Sequence, residues 1–476
     1  MRTLDRFYID GAWVAPLSDA TMPIMNPATN ARIGTLSLGT AQDVDRAVTA
    51  ARRAFESYGF APKPARLALL RRLRAVTVAR MEEMAQAIST EMGAPITMAR
   101  AVQADAGLGH LDAFIAALEV QAEEETLPNG DILSREPIGV CGLITPWNWP
   151  LNQIALKVIP ALAAGACCIL KPSEHTPLSA QLYAEMVHEA GFPPGVFNMV
   201  QGDGPTVGAA MSRHPGIDMM SFTGSTRGGR AVQKDAADTI KRVTLELGGK
   251  SPNLVFADAD LTARVPEGVA GCFYNSGQSC DAPTRMLVER ACLPQVLELA
   301  TSAAQAQAVG DPAQEGDHIG PLFDEIQYHR VQEMIEVGIA EGARVLVGGP
   351  GKPEGWEHGW YVRPTVFADV TPDMRIWREE IFGPVLAIMP FEDEADAIAI
   401  ANDTEYGLAA YIQTSDAGRA ARVARALRAG TIYLNGKGAS YGSPFGGFRQ
   451  SGNGREGGLP GLEDFQELKL RTPFEA

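Results

Sequence analysis

The sequence predicts an α/β protein built on parallel sheets, and three observations point there. From residue 139 short β-rich runs alternate with helical patterns, the same style resumes after about residue 248, and glycine-rich turns follow two of the runs. Alternation of this kind implies parallel neighbours, because parallel strands need crossover connections, and right-handed crossovers lay helices on both faces of a sheet. Ligands in such sheets sit at the carboxyl ends of the strands.

The elements follow in chain order. "GVCGLITP" from Gly139 reads as a strand. In 150 to 165, Leu151, Ile154, Ala155, Val158, Ile159 and Leu162 fall on one helical face. Pro150 suits the first turn of that helix and Gly165 its end, while Pro160 should kink it. "ACCILKP" is the next strand and leads to a helix from about Pro177 to Gly191. Then come "VFNMV", a short helix after "GDGPTVG", and the strands "DMMSF" and "RVTLEL". A second α/β unit follows from about residue 248, with strands at "RMLVER", "ARVLVGG", "GPVLAIMPF", "LAAYIQT" and "GTIYLN".

Two segments fit neither unit. In "EVQAEEETLPNGDILSREP" (119 to 137) a Pro-Asn-Gly-Asp turn between strand-prone flanks predicts a hairpin. The tail "FQELKLRTPF" resembles a strand with no partner nearby in sequence. Both are edges that a second subunit can complete, so a homo-oligomer, dimer or tetramer, is expected.

Composition narrows the function classes. A chain of 476 residues, 46% hydrophobic, is long enough for two or three domains. Lys and Arg number 41 against 57 Asp and Glu, a net charge of -16, and no basic run marks a face for nucleic acid. "MRTLDRFYIDG" lacks the apolar core of a signal peptide. The longest apolar region, "IALKVIPALAAGACCIL", is broken by Lys157, Pro160 and Gly165, which argues against a membrane span and makes the cytoplasm the expected compartment. Six cysteines without CxxC spacing or adjacent His ligands read as reduced thiols, not as disulfides or a metal site.

One of those thiols sits in an unusual setting. In "YNSGQSCDAPTR", Cys280 follows a flexible glycine and lies between the small polar residues Ser279 and Asp281. A cysteine nucleophile needs a lowered pKa or a nearby base, because the thiolate is the attacking form. Locally, Cys280 reads equally as reactive or as a buried structural thiol, the reading that suits Cys167 and Cys168. No His is patterned with an acid to serve it. Glu246, at the end of "RVTLEL" and just before Gly248 and Gly249, is the stronger base: two glycines let the chain turn sharply, and burial there would raise its pKa toward a general base's range. Alone, it also reads as a solvated strand-end glutamate. Asn148 in "TPWNWPL" is either a helix cap or an amide donor to an oxyanion, helped by the Cys280 N–H. "QGDGPTVG" and "SFTGSTRGG" could offer backbone N–H groups to a pyrophosphate, although their spacing departs from the usual dinucleotide fingerprint. In "KPSEHTP", Glu174 can accept from a ribose hydroxyl with Lys171 beside it.

Taken together and in order, "PWNWP", "KPSEHTP", "FTGST", "LELGGKSP", "GQSC", "EEIFGPV" and "PFGGFRQSG" resemble the aldehyde dehydrogenase superfamily over nearly the whole chain, with Glu246 and Cys280 34 residues apart as in that family. The resemblance implies a Rossmann-like cofactor domain (1–118 and 138–247), an α/β catalytic domain (248–445) and a small β oligomerisation element (119–137 and 446–476). It makes Cys280 the nucleophile, Glu246 the general base, Asn148 the oxyanion donor and Lys157 a lysine near the proton path. It places Lys171, Ser173 and Glu174 at the adenosine ribose, and Gly204, Gly224 and Ser225 at the adenine and pyrophosphate. Thr145, Trp147 and Phe222 border the cofactor, with Glu380 and Phe382 at the nicotinamide ribose and ring. The implied reaction is oxidation of an aldehyde to its acid by NAD, or NADP, through a cysteine thiohemiacetal and thioester. Glu246 argues against the coenzyme A acylating branch, and Glu174 favours NAD because a carboxylate beside the ribose 2′-position repels a phosphate. By the same resemblance the substrate meets Trp149, Asn152, Gln153, Leu156, Tyr274, Ser279, Asp281 and the loop "GKGASYGSPF", where Lys437 is either solvated or a partner for a semialdehyde carboxylate. The aldehyde itself stays open among aliphatic, aromatic and acid-bearing classes. The rival readings are a catalytically silent structural or binding protein of the same fold and a cofactor-free cysteine hydrolase.

Overall fold

The computed structural model of the chain describes residues 2–474. An eight-stranded sheet runs Gly452–Asn453, Arg242–Glu246, Met219–Thr223, Val140–Ile144, Cys167–Lys171, Phe197–Met199, Phe7–Ile9, Ala12–Val14. The middle strands, from Arg242–Glu246 to Phe197–Met199, are parallel, as the alternation predicts, and antiparallel strands close both ends. Register aligns the carboxyl ends: Thr223 pairs with Glu246, Phe222 with Ile144, and Ile144 with Lys171. The turns after these strands therefore open on one side of the sheet. They are "TPWN", "PSE", "GST" and "LGGK", the segments that carry chemistry.

Helix Pro150–Ala164 crosses behind them. Nearly every one of its residues is buried, including Lys157, so it packs on all sides, and it stops at Gly165, which adopts a φ of +96° open to glycine. Pro160 lies inside it.

The second sheet has seven strands, ordered Arg344–Val347, Thr365–Ala368, Val385–Phe391, Arg285–Glu289, Pro252–Val255, Ala409–Gln413, Thr431–Leu434, parallel except for the first pair. Alternate residues enter opposite cores. Leu287 and Ala387 join one core, while Met286, Val288, Leu386 and Ile388 join the other. Helices cover both faces, which explains why these strands are apolar throughout.

The hairpin forms as predicted: Glu124–Thr126 pairs antiparallel with Ile132–Pro137. The tail differs from expectation. Gln466–Arg471 finds its partner within the same chain, pairing antiparallel with Ile132–Pro137 across 335 residues between Ser134 and Lys469. A sequence scan for neighbours misses it because the contact is made by tertiary folding alone. Three short N-terminal strands, Arg2–Leu4, Thr21–Asn26 and Ala31–Ser37, form a separate sheet that the sequence reading did not foresee. No helix among the described residues is long and apolar enough to cross a membrane. Every cysteine is free, and all but Cys280 are buried.

Candidate active site

Cys280 sits where the two sheets meet. Helix Leu261–Phe273 ends just ahead of it, and three consecutive residues, Asn275, Ser276 and Gly277, adopt positive φ of 53°, 57° and 72°. Such a left-handed run is costly for the two non-glycine residues and persists only where the surroundings hold it. Here Ser276 Oγ donates to the Gly320 carbonyl at 2.8 Å, and Gln278 Nε2 donates to the Asn275 carbonyl at 3.1 Å while its Oε1 accepts from the Phe323 N–H at 3.0 Å. Gly277 has no alternative, since a Cβ there would lie 2.1 Å from the Gly383 carbonyl oxygen. The loop that presents the thiol is thus fixed before any ligand arrives.

Asn148 is held by the same loop. Its Nδ2 donates to the Gln278 carbonyl at 3.0 Å, and its own carbonyl accepts from Asn275 Nδ2 at 2.9 Å, so the capping role considered from sequence does not occur: no side chain caps helix Pro150–Ala164. Gln103 completes the cluster by donating to Asn275 Oδ1 at 3.1 Å.

Glu246 ends its strand 5% exposed, and both carboxylate oxygens are buried without a hydrogen-bond partner. This rules out the solvated strand-end reading. Burial first, and then the carboxylate of Glu456, push its pKa well up, against the opposing pull of Lys157. Gly446 makes room for it, since a Cβ at 446 would fall 2.6 Å from Glu246 Oε1. Lys157 donates to Ser221 Oγ at 3.0 Å and pairs with Glu456, forming a buried ionic link behind Glu246.

Cys280, Asn148 and Glu246 line one cavity of about 180 Å³ together with Trp147, Gly224, Ser225, Glu380 and Phe382. Gln327 and Arg330, which the sequence reading did not single out, complete it. Gln327 Nε2 donates to the Ile381 and Phe382 carbonyls at 3.0 and 2.8 Å, and Arg330 to the Glu380 carbonyl at 2.8 Å. Phe382 itself is held at a φ of +60°. Glu380 accepts from the Gly249 N–H at 3.0 Å, and its burial lifts the carboxyl to about 7. Burial, then the carboxyls of Asp281, Glu380 and Glu246, push the Cys280 thiol well up, which favours its neutral form.

Lys171, Ser173, Glu174, Thr145, Phe222 and Gly204 lie along the strand ends outside this cavity, next to Gly224 and Ser225 at its edge. Lys171 Nζ donates to Glu174 Oε2 at 3.0 Å; burial raises the Glu174 carboxyl, but Lys171 outweighs it and holds the group below its usual range. Ser173 Oγ accepts from the His175 N–H, and Thr145 is buried beside Lys171, donating its N–H to that residue's carbonyl at 3.2 Å. Ser225 caps helix Thr226–Ala236, accepting from the Gly228 N–H, and Phe222 lies against Gly224, where a Cβ would meet its ring at 2.7 Å. Gly204 opens the helical turn Gly204–Gly208 with free space where a side chain would be. Trp147 stacks on Phe323 with centroids 3.6 Å apart and meets Phe382 edge-on, so aromatic rings line the route from Glu174 to Cys280. Gln327, Arg330, Gln103, Asn275, Glu456 and Phe323 escaped the sequence reading.

A sequence model described as the aldehyde dehydrogenase family matches residues 13–470. A protein named 3-succinoylsemialdehyde-pyridine dehydrogenase, from a Pseudomonas species, is 50% identical over all of both chains. Among solved structures, an aldehyde dehydrogenase from Bartonella henselae superposes with a TM-score of 0.98 at 48% identity over all of both chains. A mutant aldehyde dehydrogenase C from Pseudomonas syringae, complexed with NAD+ and octanal, superposes with a TM-score of 0.97 at 50% identity, covering 98% of this chain and 96% of that one.

Proposed function

The chain belongs to the aldehyde dehydrogenase family, an enzyme family that oxidises aldehydes, and from that premise we propose how its own residues divide the work. The cofactor is NAD. The site fits it on three observations: Gly204 leaves open space where a Cβ would stand, Phe382 is held at a positive φ at the edge of the Cys280 cavity, and the Lys171–Glu174 pair offers a carboxylate to a ribose. Lys171, Ser173, Glu174, Gly204, Thr145, Phe222, Gly224 and Ser225 hold the adenosine and pyrophosphate, and Trp147, Glu380 and Phe382 the nicotinamide end. Bound NAD supplies a hydride acceptor.

Cys280 loses its proton to Glu246, directly or through water, and its sulfur attacks the aldehyde carbon. The resulting oxyanion is held by the Asn148 amide and the Cys280 N–H. Collapse of this thiohemiacetal releases hydride and leaves a thioester on Cys280. Glu246, having first passed the Cys280 proton on toward the Glu456 carboxylate, then takes a proton from the water that hydrolyses it. The Lys157–Glu456 pair behind Glu246 provides the way out for that proton. The observation that carries this reading is the buried, unpartnered carboxylate of Glu246 in one cavity with Cys280 and Asn148. Without a reaction to serve, such a carboxylate costs stability and returns nothing.

The domain division at 1–118 with 138–247, 248–445, and 119–137 with 446–476 is part of the same proposal, as is a cytoplasmic homodimer or homotetramer. Supporting the oligomer, Gln466–Arg471 is the outer strand of its sheet and exposes Leu468 and Leu470.

The test is reduced-cofactor absorbance with NAD and NADP over a panel of aliphatic, aromatic and acid-bearing aldehydes, including the pyridine semialdehyde of the half-identical relative's name. Turnover with NAD, abolished by Cys280→Ser, is expected. Intact NAD binding without turnover on any member would favour a silent protein of this fold, and a kcat/KM at least as high with NADP would overturn the NAD preference.

A further inference from the structure

Ser279 and Asp281, the two residues flanking the nucleophile, line a second cavity of about 450 Å³ whose lining does not include Cys280. Its walls are aromatic on two sides. Tyr411 and Tyr433 stack with centroids 4.7 Å apart, and Trp149 and Tyr274 lie 6.1 Å apart, with Trp149 Nε1 donating to Ser279 Oγ at 3.0 Å. Its polar groups are unfinished. Asn253 and Gln413, 1% and 4% exposed, bond to each other at 2.9 Å, yet Asn253 Nδ2 and Gln413 Oε1 have no partner. Asp281 makes one long side-chain contact, 3.5 Å from the Tyr433 hydroxyl, and no ion pair with any described residue. The charged groups at the rim are Lys437 and the Arg264–Glu267 pair, the latter satisfied at 2.7 Å. Tyr411, Tyr433 and Cys280 are the titratable groups that face Asp281 most closely.

A carboxyl group without a cation, set between aromatic faces one residue along the chain from the nucleophile, is a receptor for a flat ring that can share a proton with it. Resting on the aldehyde dehydrogenase reading above, we propose that Asp281 selects aldehydes whose far end carries a basic ring nitrogen, seated between the tyrosine pair and Trp149. The acid-bearing aldehydes are disfavoured there, because their carboxylate would face Asp281. Burial raises the Asp281 carboxyl above its usual range, which favours sharing a proton with the ring nitrogen.

The experiment compares kcat/KM for 3-(pyridin-3-yl)propanal and 3-phenylpropanal, which differ by one ring atom, with propanal as the control. The wild type is expected to prefer the pyridyl aldehyde by about 10- to 100-fold. Asp281→Leu, and separately Asp281→Val should the first fail to fold, are expected to bring the ratio to about one, whatever the absolute rates become. Equal kcat/KM for the pair in the wild type, or a preference that survives loss of the carboxyl, overturns the proposal. Oxidation of propanal and the phenyl compound in that case leaves the aldehyde dehydrogenase reading standing, whereas failure on all three aldehydes removes that reading itself.

Discussion

Gly248 and Glu380 touch so closely that a Cβ built on Gly248 would stand 2.1 Å from Glu380 Oε2. The glycine makes room for the carboxylate proposed to meet the nicotinamide ribose, and Gly249 then donates its N–H to the same group at 3.0 Å. Gly248→Ala is expected to swing Glu380 out of place, raising KM for NAD and lowering kcat by about tenfold or more each, since small misplacements at a reacting centre are costly. Steady-state kinetics at varied NAD, with circular dichroism as a check on folding, measures this. Unchanged KM for NAD would remove Glu380 from the cofactor contacts.

Glu246→Gln separates the two halves of the reaction. A single turnover of reduced cofactor should persist at a lower rate, since water can take the Cys280 proton in place of Glu246, with steady-state turnover down by about 10²- to 10⁴-fold, because the amide cannot accept a proton from the hydrolytic water. Rapid mixing with excess aldehyde reads the burst and the slow phase together. Equal loss in both phases would mean that Glu246 serves only to deprotonate Cys280.

Lys157→Met strips the buried Glu456 of its cation. Breaking a buried pair from one side costs about 3–5 kcal/mol, and thermal unfolding should fall accordingly, whereas Lys157→Met with Glu456→Leu should recover much of the loss. A single variant as stable as the wild type would show that the pair is solvated in solution.

Glu91 sets a pH dependence of stability. It is 2% exposed and accepts from the Leu178 and Ser179 N–H groups at 2.6 and 2.9 Å, yet burial lifts its carboxyl to about 7 from 4.5. Because the folded pKa is raised, its contribution is complete below pH 4.5 and is lost as pH rises through 7, to an extent of about 3 kcal/mol. Glu91→Gln should therefore flatten the melting temperature between pH 5 and pH 8 relative to the wild type. A parallel pair of curves would count against the raised pKa.

Gly109 and Tyr441 control the loop that rims the second cavity. A Cβ at 109 would lie 2.2 Å from the Tyr441 ring, whose hydroxyl donates to Asp105 Oδ2 at 3.1 Å and whose face meets His110. Gly109→Ala should lift Tyr441 and, with it, residues 436–439, changing KM for larger aldehydes several-fold while KM for NAD holds. Identical aldehyde KM values would show that the loop does not depend on this contact.

What the sequence made legible was whatever local pattern carries. The parallel strands could be read because each is a short apolar run bounded by Gly or Pro, and Cys280, Glu246 and Asn148 because ordered motifs tie them together. The structure adds that Glu246 is not a solvated side chain: it is buried without a partner, a property of packing that no neighbour in sequence reports. Gln103 and Asn275 were hidden for a related reason, since they meet across 172 residues. The strands before residue 38 were missed because they are short and half-exposed, without a sustained period of two. The tail was read correctly as a strand, and only folding could reveal that its partner is the chain's own hairpin.

That late pairing has a consequence for how the protein is made. The strand that ends in Glu246 is completed on its outer edge by Gly452 and Asn453, and the hairpin by Gln466–Arg471. A ribosome adding roughly 5–20 residues per second leaves both edges open for on the order of ten seconds to a minute after they emerge. Throughout that interval the nascent chain carries Glu246 on an unguarded strand, so termination between residues 246 and 452 is expected to leave a fragment with an open sheet edge.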